Sequence, residues 1–247
     1  VLGERPIDLF LQGYTAMGAT VTERDNLFTI TAKDGKLRGA KISFPFVSVT
    51  ATEALMLAAT LAEGETVLEN AAMEPEIPLL AAFLNSCGAH IEGAGTSVIK
   101  ITGGRLLRAD GRVYITPPDR IEAGSFVILA ALTAKEVTIT DCEPAHMGAL
   151  LTLLTKMGVS LDVGKSSVTV RGGKPNSAYK LVSIRTHEYP GFPTDLQAPM
   201  AVLLSQCSGE GTLLETIFDG RFRYSDDLIR MGADITVMNP HKILIRG

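Results

Sequence analysis

The sequence predicts an α+β fold assembled from duplicated βαβαββ-like units, and three observations predict it. A Gly-centred tetrapeptide closes a helix-like stretch four times, as Met17-Gly18-Ala19-Thr20, Cys87-Gly88-Ala89-His90, Met157-Gly158-Val159-Ser160 and Met231-Gly232-Ala233-Asp234. The glycines at 18, 88, 158 and 232 recur at intervals of 70, 70 and 74 residues, the signature of a repeated supersecondary unit. Within the last three repeats an all-round apolar stretch, an amphipathic stretch and short alternating strands follow one another in the same order.

Copy one shows only its back half: a helix over Arg5–Met17 opened by Pro6, a hairpin of Thr20–Glu23 with Leu27–Thr31, and a strand over Ala40–Phe44. Copy two runs through an inner helix Thr52–Ala62 stopped at Gly64, a strand Thr66–Asn70 and an outer helix Glu76–Ser86. Gly88 closes that helix as a left-handed cap, which glycine enters at little steric cost. A hairpin of Ala89–Glu92 with Val98–Thr102 turns through Gly93-Ala94-Gly95, and a strand over Arg112–Thr116 ends at Pro117-Pro118. Copy three gives helix Ile121–Thr133, strand Val137–Thr140, helix Pro144–Met157, hairpin Ser160–Val163 with Ser167–Arg171, and strand Leu181–Arg185. Copy four gives helix Asp195–Cys207, strand Thr212–Thr216, helix Gly220–Met231 and hairpin Asp234–Val237 with Lys242–Ile245. The first helices of copies two to four are apolar nearly all round, which marks fully buried inner helices; the second helices are amphipathic. Three such units can close around a bundle of parallel inner helices.

Composition narrows the function. The 247 residues carry a net charge of −4, and no Lys/Arg run exceeds two residues, which argues against nucleic acid or an anionic membrane as partner. Three widely spaced cysteines fit neither a disulfide framework nor a zinc site and suggest a reducing cytoplasm. No histidine pair has metal-ligand spacing, so no metal is expected. Dinucleotide, P-loop and nucleophile-elbow motifs are missing, so those cofactor and hydrolase readings lack support. The chain opens on Val1 part-way through a unit, which reads as a fragment.

Candidate chemistry collects at the inner helix starts. Ser48, Asp119 and Asp195 stand at one phase, 16 residues before Gly64, Lys135 and Gly211. Unpaired N–H groups and a positive dipole end make such places suited to anions. Plain structural readings stand beside this one. Ser48 or Thr50 serves as an N-cap, Thr194 and Gln197 form a capping box, and Asp119 caps its helix beside a surface ion pair. The stiff loop Tyr189-Pro190-Gly191-Phe192-Pro193 leads directly to Asp195, as a positioning loop or as a simple linker.

Several stretches together carry a family resemblance. They are Gly3-Glu4-Arg5-Pro6-Ile7-Asp8-Leu9, Thr60–Gly64 with Glu69-Asn70-Ala71-Ala72, Pro118-Asp119-Arg120-Ile121-Glu122, Phe192-Pro193-Thr194-Asp195-Leu196-Gln197-Ala198 and Glu215-Thr216-Ile217-Phe218. In these the chain resembles the UDP-N-acetylglucosamine 1-carboxyvinyltransferases of the enolpyruvyl transferase family, over essentially its whole length. The resemblance implies an inside-out α/β barrel of six units in two domains with the active site between them, the chain being incomplete at both ends. Residues 1–117 would be the C-terminal part of the first domain and 118–247 the N-terminal part of the second.

The implied reaction moves the enolpyruvyl group of phosphoenolpyruvate to the 3-hydroxyl of UDP-N-acetylglucosamine and releases phosphate. It proceeds through a tetrahedral ketal, needs no cofactor and commits material to peptidoglycan, hence to wall biogenesis, cell shape and division. By the same resemblance Asp195 is the candidate general base and Arg5 contacts the phosphate-bearing substrate. Arg5, Pro6, Ile7, Asp8 and Leu9 cradle the uridine, Val47, Ser48 and Val49 take the diphosphate, and Ile217 meets the N-acetyl sugar. Asp119 and Arg221 are second-rank site residues. Phe46 and Thr50 replace the Lys and Gly that flank the family's Val-Ser-Val, and Met73 stands where an Arg is common. The family's catalytic Cys, its Lys-Asn pair and the Arg residues of its last unit have no counterpart in these residues, and Cys87, Cys142 and Cys207 fall at packing phases. A non-catalytic UDP-sugar-binding fragment is therefore the alternative reading of the literal chain.

Overall fold

The computed structural model describes residues 6–133, 135–171 and 178–247. Arg5 lies outside the described residues. The chain divides into two compact units, one through Ile115 and one from Thr116.

In the first unit, α1 (Asp8–Ala16) leads into the hairpin β1 (Ala19–Arg24) and β2 (Leu27–Ala32). A four-stranded sheet follows, built from β3 (Lys41–Ser43), β4 (Glu65–Glu69), β5 (His90–Glu92) and β6 (Val98–Thr102) in the order β3-β4-β6-β5. β3 and β4 are parallel and the rest antiparallel. The inner helix α2 (Val49–Leu61) and the outer helix α3 (Glu76–Ser86) pack around a core that includes Leu55, Met56, Leu68, Ile77, Ile99 and Ile101. α3 has the bounds read from sequence because Pro75 stands at its N-cap and Gly88 follows its last turn.

In the second unit, α4 (Arg120–Thr133), α5 (Gly148–Met157), α6 (Gln197–Leu204) and α7 (Tyr224–Arg230) cover two sheets. One holds β7 (Glu136–Thr140), β8 (Ser160–Val163) and β9 (Ser167–Arg171) in the order β7-β9-β8. The other holds β10 (Ile184–Arg185), β11 (Glu210–Leu214), β12 (Asp234–Asn239) and β13 (Lys242–Arg246) in the order β10-β11-β13-β12. Short 3-10 turns, Pro144–Met147 and Thr194–Leu196, precede α5 and α6.

The repeat is physical. All four tetrapeptide glycines have positive φ, between 87° and 101°, where a Cβ would be strained. The amides of Arg38, Arg108 and Lys180 each donate at 2.9 Å to the carbonyl of the residue before such a glycine, Met17, Cys87 and Met157. Gly103 and Gly247 each press onto the carbonyls ending an inner helix and donate to Gly64 and Gly209 at 3.0 and 3.1 Å.

Three expectations need correction. No strand forms over 112–116; Val113 and Ile115 are 91% and 85% exposed, and Tyr114 instead meets Phe83 edge-on at 4.9 Å. A strand needs a neighbour to satisfy its backbone, and the sheet of β7 has three strands where the other two larger sheets have four. The inner helices are not buried all round. Leu57 and Leu61 on α2, Phe126 and Leu129 on α4 and Val202 on α6 are exposed, since one or two inner helices per unit leave a flank without a helix to pack on. Finally, α7 starts at Tyr224 rather than Gly220, whose φ of 66° lies outside the helical region. No helix among the described residues is long and apolar enough to cross a membrane.

Candidate active site

In the first unit, the start of α2 is a prepared anion position. Ser48 is the N-cap, in extended backbone, and its hydroxyl accepts from Ala51 N at 3.3 Å. The amides of Val49 and Thr50 have no acceptor among the described residues, so two donors stay open at the positive end of a 13-residue helix. Val47, Ser48 and Val49 are half-buried and Phe46 is exposed. Thr52 clamps this tip from inside. Its buried hydroxyl donates to Ser48 O at 2.8 Å and accepts from Ala72 N at 3.1 Å. Pro6 is exposed just ahead of α1, Ile7 is its N-cap, Asp8 its first residue and Leu9 part of the core.

In the second unit, a polar network surrounds Asp195. Gly124 on α4 lets Leu196 approach, for a Cβ there would lie 2.8 Å from Leu196 Cδ1, and this seats the turn Thr194–Leu196 on the inner helix. Arg221 Nη1 donates at 2.9 Å to Asp195 Oδ1 and at 2.9 Å to Thr194 Oγ1. Its guanidinium also lies over the Phe218 ring, 4.7 Å from the centroid. Asp195 Oδ2 accepts no hydrogen bond among the described residues, so one carboxylate oxygen is anchored and the other is available. An ion pair this exposed contributes little to stability; what it supplies is orientation.

Behind the pair sits Glu215, fully buried. Thr194 Oγ1 donates to its Oε2 at 2.7 Å. Thr186 Oγ1, Ile217 N and Phe218 N donate to its Oε1 at 3.0, 2.8 and 3.2 Å. Tyr224 OH donates to Gln197 Oε1 at 2.7 Å, and burial first, then the Glu215 charge, hold that phenol far above its ordinary range.

Asp195, Arg221 and Ile217, expected from the family resemblance, are therefore brought together through Thr194 and Glu215. Asp119 is not part of this cluster. Its Oδ1 accepts from Ile121 N at 2.7 Å and Glu122 N at 3.1 Å, which makes it the cap of α4. The capping-box reading of Thr194 and Gln197 is overturned. The Thr194 hydroxyl goes to Glu215, and the Gln197 amide reaches toward Arg221 O at 3.4 Å, so α6 starts without a side-chain cap. A cleft of about 180 Å³ adjoins the turn; Arg120, His146, Tyr189, Pro193 and Leu196 line it. Arg120 lies over the Tyr189 ring at 5.9 Å.

Two of the three thiols, Cys142 and Cys207, are buried in the core. Burial pushes Cys207 up to about 11 and raises Cys142, the latter helped by Glu143 and Asp141. Sequence reasoning missed Glu215, Thr186 and the bridging role of Thr194. The available signal was a carboxylate directly after Leu213-Leu214 at the exit of β11.

Comparison with known proteins agrees with this architecture. The profile described as EPSP synthase (3-phosphoshikimate 1-carboxyvinyltransferase) matches residues 1–246. A UDP-N-acetylglucosamine 1-carboxyvinyltransferase of Acidobacterium capsulatum is 48% identical over 95% of this chain and 52% of its own length. Its namesake in Hyphomonas neptunium is 46% identical over 98% of this chain and 56% of its own. A UDP-N-acetylglucosamine 1-carboxyvinyltransferase 2 of Bacillus subtilis is 45% identical over 96% and 54%. The chain thus spans about half the length of these relatives. Among solved structures, the enolpyruvyl transferase NikO of Streptomyces tendae superposes with a TM-score of 0.86 at 23% identity, covering 98% of this chain and 59% of that one. An EPSP synthase of Acinetobacter baumannii gives 0.67 at 22% identity, over 98% and 57%.

Proposed function

The chain belongs to the EPSP synthase (3-phosphoshikimate 1-carboxyvinyltransferase) family, and from that premise we propose that the protein transfers the enolpyruvyl group of phosphoenolpyruvate to the 3-hydroxyl of UDP-N-acetylglucosamine, releasing phosphate. The observation that carries the choice of acceptor is the 48% identity, over 95% of the chain, to an enzyme named for that reaction.

The transfer of the hydroxyl proton and the substrate contacts have residues suited to them. The sugar hydroxyl adds to C2 of phosphoenolpyruvate while C3 gains a proton, and the ketal then loses phosphate and a C3 proton to restore the vinyl group. Asp195 Oδ2 is the acceptor for the hydroxyl proton, since Arg221 occupies Oδ1 and fixes the side chain. The backbone of Ile217 meets the N-acetyl sugar. Val47, Ser48 and Val49 take the diphosphate, with the open amides of Val49 and Thr50 as donors. Arg5 contacts the phosphate-bearing substrate, and Pro6, Ile7, Asp8 and Leu9 line the uridine. Asp119 acts through the helix start it caps. None of the three cysteines is proposed as the acid that protonates C3, because Cys142 and Cys207 are buried out of reach of a substrate and Cys87 lies at the end of the outer helix.

On this reading residues 1–117 and 118–247 are parts of two three-unit domains, and the reaction serves peptidoglycan synthesis in the cytoplasm, hence wall biogenesis, cell shape and division. The non-catalytic alternative is not favoured, because the relatives of matching sequence are named as transferases. The test is phosphate release by the full-length protein with phosphoenolpyruvate and either UDP-N-acetylglucosamine or shikimate 3-phosphate. Release with the UDP-sugar supports the proposal; release with shikimate 3-phosphate alone overturns the acceptor, and release with neither overturns the transferase reading.

A further inference from the structure

The repeat reveals where one copy departs from its siblings. In copies two and three the strand leaves through a left-handed residue, Asn70 or Asp141. The next residue, Ala71 or Cys142, donates its amide to the carbonyl preceding the last strand of the hairpin, Ser97 at 3.0 Å or Ser166 at 3.2 Å. In copy four the left-handed residue is missing, and Glu215 makes that bond itself, to His241 O at 2.8 Å. Glu215 thus occupies a buried position that small Ala71 and Cys142 fill elsewhere, at 1% and 3% exposure.

Burying a carboxylate costs several kcal/mol unless donors surround it. Here four donors do, whereas copies two and three fold with a small apolar residue or a cysteine in the same place. Three of the four reach the candidate site. Two are the amides of Ile217 and Phe218, and Phe218 is the ring under Arg221. One is Thr194, which accepts from the same Arg221 nitrogen that holds Asp195. The last is Thr186, whose hydroxyl also accepts from Thr216 N at 2.9 Å and whose carbonyl accepts from Thr216 Oγ1 at 2.6 Å.

We propose that Glu215 is a positioning residue for the transfer: through Thr194 and the 217–218 amides it sets the Arg221–Asp195 pair in the geometry that receives the hydroxyl proton. This rests on the reading of Asp195 as the base. Glu215 touches no substrate; it acts by holding the groups that do. A misplacement of the base by about 1 Å costs on the order of 10²-fold in rate.

The test is a double-mutant cycle on turnover in the full-length protein, using Glu215→Gln, Asp195→Asn and their combination. Gln keeps the shape but turns one acceptor into a donor, against Thr194 or against the Ile217 and Phe218 amides. Expected is a fall of roughly 30-fold in kcat for Glu215→Gln alone, and less than about 3-fold when it is added to Asp195→Asn. An equal fold-loss in both backgrounds, or no loss in either, overturns the inference, because a merely structural role multiplies through. Should Glu215→Gln fail to fold by circular dichroism, Thr194→Val replaces it, cutting the hydroxyl bridge between Glu215 and Arg221; the same non-additivity is required. If Asp195→Asn alone turns over like wild type, the base assignment falls and this inference with it. An equal loss alongside a damaging Asp195→Asn sinks only the role of Glu215.

Discussion

Thr52 gives the sharpest test of how the α2 tip is held. Replacing it with Val keeps the shape and removes one oxygen. Two hydrogen bonds are lost, the 2.8 Å donation to Ser48 O and the 3.1 Å acceptance from Ala72 N. Ser48 O keeps a partner, since Thr52 N also donates to it at 3.0 Å. Ala72 N does not, and Ala72 is fully buried, so its amide is stranded away from water. A stranded buried donor costs about 1–3 kcal/mol. The slightly better transfer energy of Val offsets part of that, which leaves about 2 kcal/mol, or roughly 30-fold in the folding equilibrium. Thr52→Ser retains both bonds and deletes one buried methyl, worth about 1 kcal/mol by analogy with Ile→Val. Urea unfolding of the two variants beside wild type therefore has a definite ranking, wild type above Ser above Val, with Val last where apolarity alone would put it first in a core. A Val variant as stable as wild type would refute the bridging role of the hydroxyl.

Two further expectations concern the ionisable groups. Native-state alkylation mapped by mass spectrometry should leave the Cys142 and Cys207 peptides unmodified at pH 8 and label them only after unfolding, because burial keeps both thiols protonated; native labelling of Cys207 contradicts its burial. Glu53 on α2 is raised above its ordinary value of 4.5 by burial, then by the charges of Glu76 and Glu74. Ionising it therefore costs stability, which is full below the unfolded value near 4.5 and declines as pH rises through the folded one. Glu53→Gln should accordingly stabilise the protein at pH 7 and lose that advantage below pH 4.5; a constant difference across pH excludes the electrostatic cause.

Local signals in the sequence reached the repeat and most elements. Each helix-ending glycine marked a left-handed cap that needs no information from elsewhere in the chain, and Gly18, Gly88, Gly158 and Gly232 all adopt it. Alternation alone misled at 112–116, where the apolar pattern of a strand is present but no neighbouring strand pairs with it. The Ser48 cap was legible because its partner lies three residues away. The capping box at Thr194 was not, because its hydroxyl is claimed by Glu215, 21 residues on, and a bond over that distance leaves no local trace. The same holds for Asp195 and Arg221, 26 residues apart and linked only once β11 returns beside β10. Residue types at the site were visible in the chain; their connections belong to the folded sheet.

The central claim is that Asp195 receives the proton of the sugar hydroxyl. Its most direct test measures two quantities on Asp195→Asn in the full-length protein: turnover by phosphate release, and affinity for UDP-N-acetylglucosamine by titration calorimetry. The expected result is turnover reduced by roughly 10²–10⁴ with affinity changed less than about threefold, since the amide keeps the shape and loses the base. Turnover near that of wild type would contradict the account.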